Sequence, residues 1–267
     1  MAKDKTEAVA TRTTAMALQQ SKPDFLRKQD EEGPARYRGQ EEIGAQDMVI
    51  PRVAICQSTT PNRKRQNEAI FIEGLQEGQI FNTVTLENYG EEILFTPLLF
   101  HKSRIKFTPM DQGGGVECLN PTGRHCALNN GGPCIHAQWG KNGEPPACDE
   151  LYNFPCLVLH ENGRAPDFAV ISFKRTGVAA AKDLNTKIRM RQSDAFAGTY
   201  RLRTAPDKNS AGQDYFIPVI DNAGWVDPET YQKAEEFYEG FRESILSGQA
   251  VADMTGMAEE RKGDEPF

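Results

Sequence analysis

No apolar run in these 267 residues approaches the ~20 needed to span a bilayer as a helix. The opening residues, MAKDKTEAVATRTT, lack the apolar core and small-residue cleavage site of a secretory signal. A cytoplasmic protein is therefore expected, with its six cysteines serving as thiols or metal ligands, not disulfides. Missing too are a phosphate-binding loop, a paired nucleophile and base, and the H-x-E with P-C-x-x-C of zinc deaminases. His101 and His160 stand alone on strand-like segments, so no enzyme is expected. Hydrophobic content of 38% is low for a wholly compact chain and too high for wholesale disorder, and there is no internal repeat.

Charge is distributed unevenly. Residues 227–267 hold four Lys/Arg against eleven Asp/Glu, which accounts for the whole net charge of −7 and leaves the other 226 residues balanced. Within that balanced body, residues 171–210 carry nine Lys/Arg and three Asp/Glu. Such a local excess is what a groove for a polyanion needs.

Residues 1–45 are polar and turn-rich and are expected to be disordered. From Met48 the texture changes to short apolar or alternating runs between turn residues, at 48–57, 69–73, 79–85, 93–107, 154–160, 168–174, 199–204 and 215–220. This is the pattern of a β-barrel or sandwich. The polar segment 205–214 joins two strands as a long hairpin. Helical spacing of Val178, Ala181, Leu184 and Ile188 predicts a helix over 178–191. A second helix is predicted over 227–247: Asp227 caps it, Pro228 suits its first turn, Tyr231, Ala234, Tyr238, Phe241 and Ile245 make its apolar stripe, and Gly248 ends it. Four regions result: a disordered segment 1–45, a body 46–225, a C-terminal helix 226–247 and a flexible acidic tail 248–267.

Residues 113–150 interrupt the strands with too little apolar material to fold alone. Cys118, Cys126, Cys134 and Cys148 offer a reason, since four thiolates can close around Zn²⁺ and replace a missing core. The intervals of seven, seven and thirteen residues are not those of a C-x2-C knuckle. His125 or His136 can substitute for one cysteine, and free thiols on a disordered loop are the alternative. Cys56 and Cys156 lie in apolar runs and read as core.

Single strands are held by cations that track phosphates and by rings on which bases stack. Alternation over 101–107 puts Lys102, Arg104 and Lys106 on one face and Ile105 and Phe107 on the other. Arg201 and Arg203 flank Leu202 in the same way, Lys174 and Arg175 end another strand, and the helix 178–191 adds Lys187 and Arg189. Candidate stacking rings are Trp139, Phe173, Tyr200 and Tyr215, whereas Phe95, Phe100 and Phe154 read as core. For each row taken singly, the plain alternative is a solvated strand face.

The chain closes on Asp264-Glu265-Pro266-Phe267, an apolar ring and α-carboxylate presented together behind two acids, which suits an apolar pocket ringed by basic groups on a partner. This tip resembles the C-termini of bacterial and phage single-stranded-DNA-binding proteins, and residues 43–52 (IGAQDMVIPR) and 138–148 (QWGKNGEPPAC) look like those of phage replication-module proteins. The resemblance implies an OB-like barrel, here with an inserted zinc loop and two helices. It also implies sequence-nonspecific binding of single-stranded DNA without catalysis, and recruitment of replication or recombination proteins through Asp264, Glu265, Pro266 and Phe267. RNA stays open as the ligand, as does assembly into a homo-oligomer. The rival reading is a zinc-stabilised interaction or structural protein, such as a virion component, that binds no nucleic acid.

Overall fold

In the computed structural model, the described residues are 42, 47 and 49–253, except 109–114, 124–125, 127–131, 133, 142, 144, 161–163, 210–211 and 250–251. The segment 1–45, apart from residue 42, and the tail beyond residue 253 thus lie outside them. The chain divides into one unit of residues 1–44 with 160–166 and a second of residues 45–159 with 167–267. The architecture that follows is that of the second unit.

Ten strands form one sheet: β1 (Arg52–Ile55), β2 (Ile80–Asn82), β3 (Asn88–Gly90), β4 (Glu92–Pro97), β5 (His101–Phe107), β6 (Val116–Asn120), β7 (Cys148–Leu159), β8 (Asp167–Phe173), β9 (Gly198–Lys208) and β10 (Asp214–Trp225). A one-turn helix α1 (Pro61–Lys64) follows β1, α2 (Val178–Met190) follows β8, and α3 (Pro228–Ser247) follows β10. The spatial order is β10-β9-β4-β7-β8-β1-β2-β3, with β5 also on β7 and β6 on β5.

Strand β7 organises this sheet. One of its edges pairs with β8 from Tyr152 to Val158, while the other is shared, with β5 along its first half and β4 along its second. The expected single run 93–107 is therefore two strands laid end to end against one partner. Their junction explains a proline in a central strand. Pro155 accepts a hydrogen bond from Leu98 N–H at 2.7 Å, and its missing donor faces the changeover from β4 to β5, where no ladder bond is lost.

Both faces of β7 are covered, which is why residues 154–159 read as a continuous apolar run. Tyr152, Phe154, Cys156 and Val158 point to the inner face, where they meet side chains of β1, β2, β4, β8, β9 and β10 together with Ala181 and Leu184 of α2. On the outer face Leu157 and Leu159 meet α3, whose Phe237 and Phe241 stack on Phe168 with ring centroids 5.4 and 4.9 Å away. The predicted ends of α3 hold. Asp227 accepts from Thr230 N–H at 2.9 Å, and Gly248 stops the helix in the left-handed conformation. A Cβ at Gly248 would lie 2.4 Å from Pro121, so glycine serves close packing there as well as the turn.

Two sequence expectations change. The run 69–73 is a turn, held by Ile72 N–H on Asn62 O, and Val116–Asn120 forms a strand inside the cysteine insertion. The barrel expected from an OB-like reading is not closed by backbone pairing, since β10 and β3 remain edges. The sheet nevertheless curls until Gln57, just past β1, reaches β10. The Gln57 amide donates to Phe216 O at 2.7 Å and accepts from Phe216 N–H at 2.9 Å, taking the place of a strand residue. Two further carbonyls along β10 are covered by cations of the α2 end, Ile220 O by Lys187 and Gly224 O by Arg191, and Pro218, between Phe216 and Ile220, has no donor to offer. The β10 edge is thus blocked at regular intervals.

A cavity of about 70 Å³ remains beside this seam, lined by Arg52, Gln57 and Phe216 among others, and one of about 20 Å³ lies between His101, Asn153 and Ala252. Neither has room for more than a few waters.

Replacing Gln57 by Ala leaves the partly buried Phe216 N–H and C=O on β10 without their partner. A loss of about 2–4 kcal/mol is expected in urea unfolding, with an unchanged m-value. Burial holds the His101 imidazole below its usual range, against hydrogen bonds with backbone groups of Lys102 and Pro121. Because the unfolded chain binds that proton more readily, stability is expected to fall as pH drops below about 6.5. His101→Gln should flatten that slope in urea midpoints measured between pH 7.5 and 5.

Candidate nucleic-acid interface and cysteine cluster

The alternation expected for β5 is present: Ser103, Ile105 and Phe107 are buried, while Lys102, Arg104 and Lys106 project from the other face. Register defines what surrounds them. Lys102 lies opposite Tyr152, Arg104 between Glu150 and Asn120, and Lys106 between Cys148 and Cys118. The row therefore continues the inner face of the sheet beyond its apolar centre. Glu150 takes Lys102 and Arg104 together at 3.2 Å each, and Glu117 takes Lys106 at 2.6 Å. The Lys102 ammonium also sits 4.5 Å over the Tyr152 ring, and the Tyr152 side chain, more than Glu150, raises its pKa. Half-exposed pairs of this kind are worth ~1 kcal/mol or less, so a stronger polyanion can displace them.

Arg201 and Arg203 do not extend this row. Leu94 faces both Leu159 and Arg201 across β4, whereas Tyr200 and Leu202 fill the inner core. The β9 arginines thus emerge on the outer face, paired with Glu92 at 3.4 Å and Asp221 at 2.8 Å. The single groove expected from both rows divides into two surfaces of opposite side, because alternation within a strand says nothing about parity between strands.

The remaining predicted cations are mostly engaged. Lys174 is buried with its ammonium 5.7 Å over Phe107, Arg175 pairs with buried Asp149 at 3.1 Å, and Lys187 meets Asp183 as well as Ile220 O. Arg189 is exposed, and no ion-pair partner for it is present among the described residues.

Three of the four predicted stacking rings are corrected by burial. Phe173 is 4% exposed, Tyr200 0% and Tyr215 8%, the last donating its hydroxyl to Asp207 at 2.8 Å. The Phe173 and Tyr200 rings are spent on the inner core, and Tyr215 is buried on the outer face, so none of the three offers a face to a base. Trp139 is 70% exposed. Phe100, expected in the core, lies at its margin against Tyr152 and Phe154 and is 36% exposed, and Trp225, which sequence reasoning passed over, is 63% exposed. Its one sequence signal is position, an indole just after Gly224 and before the helix cap Asp227, outside any apolar alternation.

The four insertion cysteines converge. Cys118 and Cys148 flank Lys106 on the inner-face row. Cys126 is buried, its N–H bonded to Gly132 O at 3.3 Å. Cys134 is the hub. Desolvation works against its thiolate, but hydrogen bonds from the Cys126 and Cys148 side chains and from the backbone of His136 and Ala137 outweigh it and lower its pKa. Burial, reinforced by the charge on Cys134, pushes Cys148 up to about 11; burial likewise raises Cys118, with Cys126 and Cys134 adding to it. The thiols meet in pairs, and no group of three or more His, Cys, Asp or Glu among the described residues is set as a ready metal cage. Sulfurs around a tetrahedral ion with bonds of ~2.3 Å sit ~3.8 Å apart, which is also thiol–thiol hydrogen-bond spacing. His136 lies beside the cluster and contributes its backbone; His125 falls outside the described residues. Cys56 and Cys156 are fully buried core thiols, as expected.

The tip Asp264 to Phe267 also lies outside the described residues. The root of the tail does not. Ala252 bridges Ile50 in parallel, Asp253 N–H donates to Ile50 O at 2.8 Å, and Asp253 O accepts from the buried Arg52 Nε at 3.3 Å. No helix among the described residues is long and apolar enough to cross a membrane.

A family model described as Pam3 phage gp34-like protein matches residues 12–246. No curated protein and no solved structure matches the chain.

With a chelator present, alkylation at pH 7.5 is expected to label Cys134 first and Cys148 last within the cluster, because the thiolate is the reactive form. Mass-spectrometric time courses check the order, and Cys56 and Cys156 should stay unlabelled until the protein unfolds.

Proposed function

The chain belongs to the Pam3 phage gp34-like protein family, and on that premise we propose that it binds single-stranded DNA without sequence preference and without catalysis, in the cytoplasm of a phage host. The observation that carries this reading is the gathering of Lys102, Arg104 and Lys106 on one face with the cysteine cluster, whose loop bears the exposed Trp139. Cations in a row on a strand, with an exposed indole on the adjoining insertion, supply what phosphates and bases require. The curled sheet capped by α2 serves as an OB-like platform, with Gln57 in place of the closing strand.

Cys118, Cys126, Cys134 and Cys148 fit a structural Zn²⁺. All four are soft donors, Cys134 hydrogen-bonding with Cys126 and Cys148 and Cys118 within electrostatic reach of Cys126, Cys134 and Cys148, and two backbone N–H groups already favour a thiolate at Cys134. The ion would fasten the insertion to the start of β7 and the middle of β6, so metal analysis of untagged protein should find about one zinc. Cys134→Ser should lower thermal stability more than DNA affinity.

The acidic tip, Asp264 to Phe267, recruits replication or recombination proteins in this reading. Because Ala252 and Asp253 belong to the fold, a tail deletion should start at residue 254.

A second reading has a specific observation in its favour. Lys102, Arg104 and Lys106, like Arg175, Arg201 and Arg203, are each already paired with a carboxylate. A zinc-stabilised interaction or structural protein would look like this too. Titration of labelled oligo-dT at several salt concentrations separates the two. Three phosphate contacts predict that log K falls with log salt at a slope of about −2, from ~0.7 per phosphate. Glu150→Gln should tighten binding by freeing two cations, and Lys106→Ala should weaken it. Absence of binding at low salt, even without residues 254–267, would exclude the DNA reading.

A further inference from the structure

We infer that Trp225 is a base-stacking platform at one end of the inner face, an inference that rests on the single-strand-binding reading above. The aromatic side chains exposed among the described residues are few, and Trp225 is set apart from Phe100 and Trp139 by what stands behind it. The Arg191 guanidinium lies between two rings, 4.6 Å from that of Trp225 and 4.9 Å from that of Tyr200. It is locked in plane by donation to Gly224 O and, at 3.4 Å, to Asn222 Oδ1. Gly198 leaves the space for it, since a Cβ there would come within 3.0 Å of both Arg191 and the Tyr200 hydroxyl. One face of the indole is thus fixed on a cation while the other is left to solvent. A rigid ring with little entropy left to lose is the form of aromatic that stacking rewards.

Topology puts this ring where a strand would pass. The register of β10 against β9 shifts between Asn222 and Gly224, and that bulge brings Trp225 opposite Gly198, on the face of Tyr200 and Leu202. Tyr200 lies opposite Phe95, near the end of β4, from which the chain continues through exposed Phe100 to Lys102. Trp225, Phe100 and Lys102 therefore line one end of the sheet on one side, with the β5 cations beyond. Without the bulge, Trp225 would project from the opposite face, away from Lys102. The occupant this order fits is a single strand, one base on the indole and its backbone led toward Lys102 and Arg104.

The chain has two tryptophans, so each can be followed alone. In Trp139→Phe protein, oligo-dT at low salt is expected to quench the remaining Trp225 fluorescence to saturation, with the same midpoint as a labelled-oligonucleotide titration. Trp225→Ala should weaken binding at least fivefold, and Trp225→Phe should recover part of that loss. The salt slope should not change, because no phosphate contact is removed. Unquenched Trp225 together with parental affinity in Trp225→Ala would overturn the inference while leaving DNA binding intact. Parental protein that binds no oligonucleotide would overturn the functional reading, and this inference with it. Should Trp225→Ala fail to fold by circular dichroism, the quenching of Trp139→Phe protein decides.

Discussion

The structure depends on burying β7 from both sides. Its twelve residues pair with three strands, carry core side chains on each face, and begin at a cysteine of the insertion. Everything with a functional claim is positioned relative to it: β5 hangs its cations on the first half, β4 leads through the second half to β9 and β10, and α3 packs across its outer side. A central strand covered on both faces is apolar wherever it meets the core, as over residues 154–159, and its polar residues, Asp149, Glu150 and Asn153, fall in the first half, where each has a polar partner.

Local signals in the sequence located what local chemistry decides. Asp227, Pro228 and Gly248 mark α3 to within a residue, the spacing of Val178, Ala181, Leu184 and Ile188 marks α2, and alternation in 101–107 sorts the β5 side chains correctly. What stayed hidden is non-local. Nothing around Leu98 announces that one apolar run divides between two halves of a partner strand more than fifty residues away. Gln57 is an ordinary polar residue until the curl of the sheet brings Phe216 to it. The parity of Arg201 relative to Arg104 depends on three successive strand pairings, and the side on which Trp225 emerges depends on a bulge.

The candidate site was legible to the same extent. Its cation row and its four cysteines come from spacing along the chain, and the fold brings each set together. The aromatic partners were misjudged because an aromatic residue in a β-rich chain looks alike in sequence whether it fills the core or faces solvent. Phe173 and Tyr200 were needed in the core between the sheet and α2, while Tyr215 is buried on the outer face of β10 with its hydroxyl held by Asp207. The indoles left outside are those on the insertion and at the bulge.

The blocked edge of β10 bears on crowding. Exposed strand edges are templates, and chains gathered at high local concentration along a polymer meet one another edge first. Here the carbonyls of Phe216, Ile220 and Gly224 are already taken by side chains of the same molecule, with a proline among them. Copies can therefore sit shoulder to shoulder along that side without knitting into a continuous sheet, and any contact between neighbours there has to be made by side chains that can let go.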